Sequence, residues 1–85
     1  SMTDYNDYPF NEVCAQARAY AEQGFNVYQK FTCSGCGNRL TIEEPNKFYE
    51  TGSCDNCSTI TNIREKGCNY MLQKALTEKG RSWRP

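Results

Sequence analysis

Apolar residues recur at helical spacing early in the chain. Phe10, Val13, Cys14, Ala17, Tyr20, Ala21 and Gly24 fall at i, i+3, i+4, i+7, i+10, i+11 and i+14. That is one face of a helix. Glu12, Gln16, Ala19 and Gln23 take the opposite side. Pro9 suits the first turn, where its missing N–H would be unpaired anyway, and Gly24 suits the stop. The spacing predicts one amphipathic helix over 9–23, ended by Gly24 and docked through Phe10, Val13, Ala17 and Tyr20. Residues 1–8 are polar and aromatic and read as a loose arm.

After Gly24 the period drops to two. Val27, Gln29 and Phe31 alternate with Tyr28, Lys30 and Thr32, which predicts a strand over 25–32 with Tyr28 and Lys30 facing outward. Shorter strands are expected at 39–42, 47–51, 59–63 and 68–72. Glu43-Glu44-Pro45-Asn46 and Arg64-Glu65-Lys66-Gly67 are turn signals between them. Met71, Leu72, Ala75, Leu76 and Lys79 also suit a short helix stopped by Gly80. With 85 residues there is room for one domain. Its expected parts are the arm (1–8), the helix (9–24), a strand-rich segment (25–72) and a C-terminal tail (73–85). The longest apolar runs are two or three residues, so no membrane span is expected. Ser1-Met2-Thr3-Asp4 lacks a secretory pattern, which gives an expected cytoplasmic setting.

Six cysteines in so short a chain need a reason. Four form two pairs, Cys33-Ser34-Gly35-Cys36 and Cys54-Asp55-Asn56-Cys57, with seventeen residues between them. This C-x2-C-x17-C-x2-C spacing belongs to four-cysteine zinc sites. Each turn aims two thiolates at one ion, and two turns complete a tetrahedron. The expected cofactor is one Zn2+ per chain on Cys33, Cys36, Cys54 and Cys57. Iron fits the same four sulfurs and stays open as an alternative. A disulfide framework would need an oxidising compartment. Cys14, on the apolar stripe, and Cys68, alternating with Tyr70 and Leu72, read as packed thiols.

These residues resemble the zinc ribbons with rubredoxin-like knuckles. The match covers about residues 27–72. Cys33-Ser34-Gly35-Cys36-Gly37 has the group's C-x2-C-G form, whereas Cys57 is followed by Ser58 and not by glycine. The chain also looks like the short stand-alone zinc-ribbon proteins of bacteria and their viruses. The resemblance implies a structural metal but fixes no function, because zinc ribbons bind RNA, DNA and proteins alike. The expected fold class is a small metal-stabilised α+β protein: an N-terminal amphipathic helix followed by a four-cysteine ribbon of short antiparallel strands.

Catalysis is not expected. The chain has no histidine, and four thiolates leave no open metal position for water or substrate. The acidic pair Glu43-Glu44 is faintly similar to that of transcript-cleavage factors but reads as a solvated turn. Formal charge is zero overall yet unevenly spread. Arg64, Lys66, Lys74, Lys79, Arg81 and Arg84 against Glu65 and Glu78 leave residues 64–85 at net +4. That end is an electrostatic handle, and Trp83 with arginine suits a binding hot spot or single-stranded nucleic acid. The partner-contact candidates are Tyr28, Lys30, Arg39, Arg64, Lys66, Arg81, Trp83 and Arg84. The expectation is a non-enzymatic adaptor or inhibitor that binds a protein. A transcription-associated module that binds DNA or RNA is the alternative, and a rubredoxin-like iron electron carrier is a remote one. The pattern does not fix the oligomeric state.

Overall fold

The helical period and the first alternating run become a helix and a long strand laid face to face. The structure is a computed structural model that describes residues 6–75. Its elements are α1 (Phe10–Glu22), β1 (Phe25–Thr32), β2 (Arg39–Thr41), β3 (Thr51–Ser53), β4 (Ile60–Asn62), α2 (Ile63–Lys66) and β5 (Asn69–Lys74). The fold is therefore α+β, one N-terminal helix on antiparallel strands. Pro9 precedes α1 at φ −54° and ψ 137°, and its carbonyl accepts from the Glu12 and Val13 amides at 3.0 and 3.1 Å. Gly24 closes the other end at φ 101°, a conformation that costs glycine little. Phe10, Val13 and Ala17 are buried, as the stripe predicts.

β1 is the central strand of a three-stranded sheet in the order β2-β1-β5. Its pairing with β5 runs from Phe25↔Lys74 to Lys30↔Asn69, and with β2 from Lys30↔Thr41 to Thr32↔Arg39. Val27, Gln29 and Phe31 are buried on one face. Phe31 joins Phe10, Val13, Ile63 and Cys68 in the core. β3 and β4 form a separate hairpin. Gly52 on β3 leaves room for the core, since a Cβ there would sit 2.5 Å from Phe31 Cζ. Glycine at this position lets the Phe31 ring reach the hairpin, which ties the core to the second cysteine pair.

Several expectations are corrected. No strand forms over 47–50; β3 begins only at Thr51. The edge of β1 is already engaged there by side chains and a turn. Val27 N–H donates to Asn46 Oδ1 at 2.9 Å, and the Asn46 amide donates to the Val27 carbonyl at 2.8 Å. The buried Gln29 amide then clamps Tyr49, accepting from its N–H and donating to its carbonyl, both at 3.0 Å. One side-chain amide thus takes the place of a strand pair.

The fourth strand ends at Asn62, where the Asn62 side chain accepts from the Glu65 amide and the chain turns into α2. The last strand runs on to Lys74, so residues 71–74 are extended and not helical. Register with Phe25–Tyr28 overrides local helix propensity. The rest of the expected C-terminal helix, and Arg81, Trp83 and Arg84 beyond its Gly80 stop, lie outside the described residues. The arm is anchored where it is described. Tyr8 and Cys68 exchange backbone hydrogen bonds of 2.8 and 3.0 Å, and Asn69 Nδ2 donates to the Asn6 carbonyl at 2.8 Å. Among the described residues no helix is long and apolar enough to cross a membrane.

Candidate metal centre

Two turns, one at the end of β1 and one at the end of β3, carry the four paired cysteines, and they are built alike. In the first, the Cys33 amide donates to the Asn38 carbonyl at 2.8 Å and the Gly37 amide to the Cys33 carbonyl at 3.0 Å. In the second, the Cys54 amide donates to the Thr59 carbonyl at 3.0 Å and the Ser58 amide to the Cys54 carbonyl at 2.8 Å. Gly37 and Ser58 hold equivalent positions at φ 80° and 66°. The serine after Cys57 therefore adopts the left-handed backbone that its glycine counterpart takes without strain. That costs a non-glycine residue roughly 1–2 kcal/mol. Ser58→Gly is expected to raise stability by about 0.5–1 kcal/mol, part of the gain being offset by the freer unfolded chain. Gly37→Ala should do the reverse by about 1 kcal/mol, although its Cβ would meet nothing within 4 Å. Urea midpoints of the two variants check both signs.

The turns bring the Sγ atoms of Cys33, Cys36, Cys54 and Cys57 within 4.8 Å of one another. The sulfurs of Cys33 and Cys57 are 3.6 Å apart, and those of Cys36 and Cys54 are 3.7 Å apart. Four sulfurs about 2.3 Å from one tetrahedral ion lie about 3.8 Å apart along each edge. A disulfide would need about 2.05 Å. The donor set fits one tetrahedral ion. Cys33 and Cys54 are buried, while Cys36 and Cys57 are exposed.

Hydrogen-bond donors favour thiolate at Cys33 and Cys36. The Cys36 and Gly35 amides point at Cys33 Sγ at 3.5 and 3.2 Å. The Cys36 amide is the main cause that holds the Cys33 thiol down at about 6, against desolvation. Asn56 Nδ2 approaches Cys36 Sγ at 3.5 Å and is the first cause lowering that thiol. The Cys57 amide pulls Cys54 down, but burial and hydrogens shared with Cys36 and Cys33 push it up to about 11.

Supports reach in from elsewhere. Ser34 N–H donates to Oγ1 of buried Thr61 at 2.9 Å, fastening the first turn to β4. A Cβ on Gly35 would lie 2.3 Å from Thr59 Oγ1, so the first turn needs a residue without a side chain where it meets the second. Asn56, Thr59 and Thr61 are supports that spacing alone does not reveal. Asn56 stands third in its turn, the place of Gly35 in the first, and that equivalence is the one signal that points to it.

The other two cysteines stand apart from the cluster. Cys68 is fully buried, and burial pushes its thiol up to about 11. Cys14 is half-buried, and burial raises its thiol too. Of the expected contact residues, Tyr28 and Lys30 are half-buried, Lys30 Nζ donating to Thr41 Oγ1 at 2.8 Å. Arg39 is not an outward-facing cation. Its side chain is 10 % exposed and pairs with Asp7 at 2.7 Å. Arg64 lies 5.6 Å over the Phe10 ring and pairs with Glu50 at 3.3 Å, its side chain staying 54 % exposed. Lys66 is exposed on α2. Glu44 accepts a hydrogen bond from Tyr49 Oη, which gives the acidic turn a structural role. No protein-family model, curated protein or solved structure matches the chain.

Proposed function

We propose that Cys33, Cys36, Cys54 and Cys57 hold one Zn2+ as a structural centre, in the manner of a zinc ribbon, and that the chain is a non-enzymatic binding module for another protein. The observation that carries the metal reading is the set of four thiol sulfurs, with two edges of 3.6 and 3.7 Å matching a tetrahedral site. Four protein thiolates saturate such an ion, which suits stabilisation and not turnover.

Charge supports a protein ahead of nucleic acid. Four thiolates and one Zn2+ add net −2 to a chain of formal charge zero. Arg39, one of the candidate cations, has a side chain only 10 % exposed and is engaged by Asp7. Affinity for a phosphate backbone depends on lysines and arginines that neutralise it. Exposed Ile60, at 69 %, and exposed Met71 and Leu72 offer apolar contact instead.

The test has two arms on the full chain. Elemental analysis should find one zinc per chain; a red, iron-containing protein would move the reading to electron transfer. Titration with a single-stranded oligonucleotide should show weak binding. Tight binding whose log affinity falls steeply with log salt would replace the protein partner with nucleic acid.

A further inference from the structure

Each close sulfur pair joins an exposed cysteine to a buried one across the two turns. Exposed Cys36 lies 3.7 Å from buried Cys54, and exposed Cys57 lies 3.6 Å from buried Cys33. Each pair therefore has one residue open to solvent and one buried. Exposure and thiolate character govern which cysteines oxidise first.

We infer that the centre is an oxidation-responsive clasp, in which a hydroperoxide links the turns crosswise as Cys36–Cys54 and Cys33–Cys57 and releases the metal. The metal release rests on the zinc reading above; the crosswise pairing rests on the sulfur geometry. In the first step the Cys36 thiolate attacks one peroxide oxygen. The O–O bond breaks, hydroxide leaves and Cys36 becomes a sulfenic acid. The Cys54 thiolate then attacks the Cys36 sulfur, the S–S bond forms and a second hydroxide leaves. Two thiolates have given two electrons to one hydrogen peroxide. The sulfurs close from 3.7 Å to the covalent distance of about 2.05 Å. Two sulfur ligands remain, too few to enclose a tetrahedral ion, so the metal passes to solvent. A second peroxide joins Cys57 to Cys33 by the same steps.

The experiment treats the zinc-loaded full chain with hydrogen peroxide. Released zinc is read with a chromogenic chelator, and disulfides are mapped by mass spectrometry after non-reducing trypsin digestion. Cleavage after Arg39 and Lys47 separates the two turns unless a disulfide joins them. The expected result is zinc release with the first equivalent of peroxide, the 31–39 peptide held to the 48–64 peptide with fragment ions placing the bond between Cys36 and Cys54, and recovery of zinc binding after dithiothreitol. Bonds within a turn, Cys33–Cys36 or Cys54–Cys57, or the other pairing across the turns, Cys33–Cys54 or Cys36–Cys57, would overturn the inference and leave the zinc reading intact, as would sulfinic acids without any disulfide. A chain isolated without zinc that still forms the crosswise bonds would sink the zinc reading and leave the pairing standing.

Discussion

Cys54→Ser is expected to strip the metal from the chain and to loosen both turns. Structural zinc contributes apparent binding free energies of about 10–16 kcal/mol in small zinc-finger peptides, where binding and folding are one event. A chain of 85 residues lies just above the size, about 70–80 residues, below which a core rarely supplies more than about 3–5 kcal/mol by itself. Loss of a supporting hydrogen bond near a metal typically costs about 10–100-fold in affinity, and loss of one of four thiolates should cost well beyond that. Cys54 is also buried, so its serine hydroxyl would be desolvated without the ion that thiolate would have held. The readout is zinc per chain after exposure to a competing chelator, with thermal unfolding in parallel. Cys33→Ser, Cys36→Ser and Cys57→Ser should behave alike. Cys14→Ser should keep its zinc, since Cys14 lies outside the cluster. Cys68→Ala should also keep zinc but lose stability, because Cys68 is fully buried in the core. Equal zinc content in the Cys54 and Cys14 variants would end the four-thiolate reading.

Legibility in the amino-acid pattern divides along a physical line. The helix and β1 are set by apolar periodicity over many residues, and periodicity survives whatever packs against it. The metal-ligand candidates are legible because two short turns with fixed internal spacing leave few other ways to use four cysteines. The missed features depend on single side chains that act over a distance. Gln29 looks like one more residue of an alternating strand, yet its amide occupies both backbone groups of Tyr49, twenty residues away. Asp7 looks like part of a loose arm, yet it reaches Arg39 and removes that cation from the candidate surface. Ser58 looks like a departure from the knuckle pattern, yet its backbone sits at φ 66°, where the first turn uses glycine. Propensity and spacing carry no information on contacts of that kind.

Val13→Asp is expected to undock the helix. Val13 is 2 % exposed and packs in the core with Phe10, Phe31, Ile63 and Cys68. Burying a side chain of this kind contributes about 1.5–3 kcal/mol, all of which the substitution forfeits. An ionised carboxylate in the same place has no partner among those core residues, and an unpaired buried charge costs several kcal/mol more. Together these exceed what a small core provides. The loss should therefore appear as helix undocking and not as a modest shift of midpoint. Gln16→Asp supplies the control on the same helix. Gln16 is exposed and accepts from Tyr70 Oη at 3.1 Å, an exposed bond that the shorter aspartate would hand over to water. Exposed substitutions of this sort stay within about ±0.5 kcal/mol. Far-ultraviolet circular dichroism and urea unfolding of the zinc-loaded variants separate the two. The turns that carry Cys33, Cys36, Cys54 and Cys57 are built from their own backbone hydrogen bonds, so Val13→Asp should keep more zinc than Cys54→Ser while losing more helix. If Val13→Asp and Gln16→Asp unfold at the same midpoint, α1 is not docked on the sheet through this face.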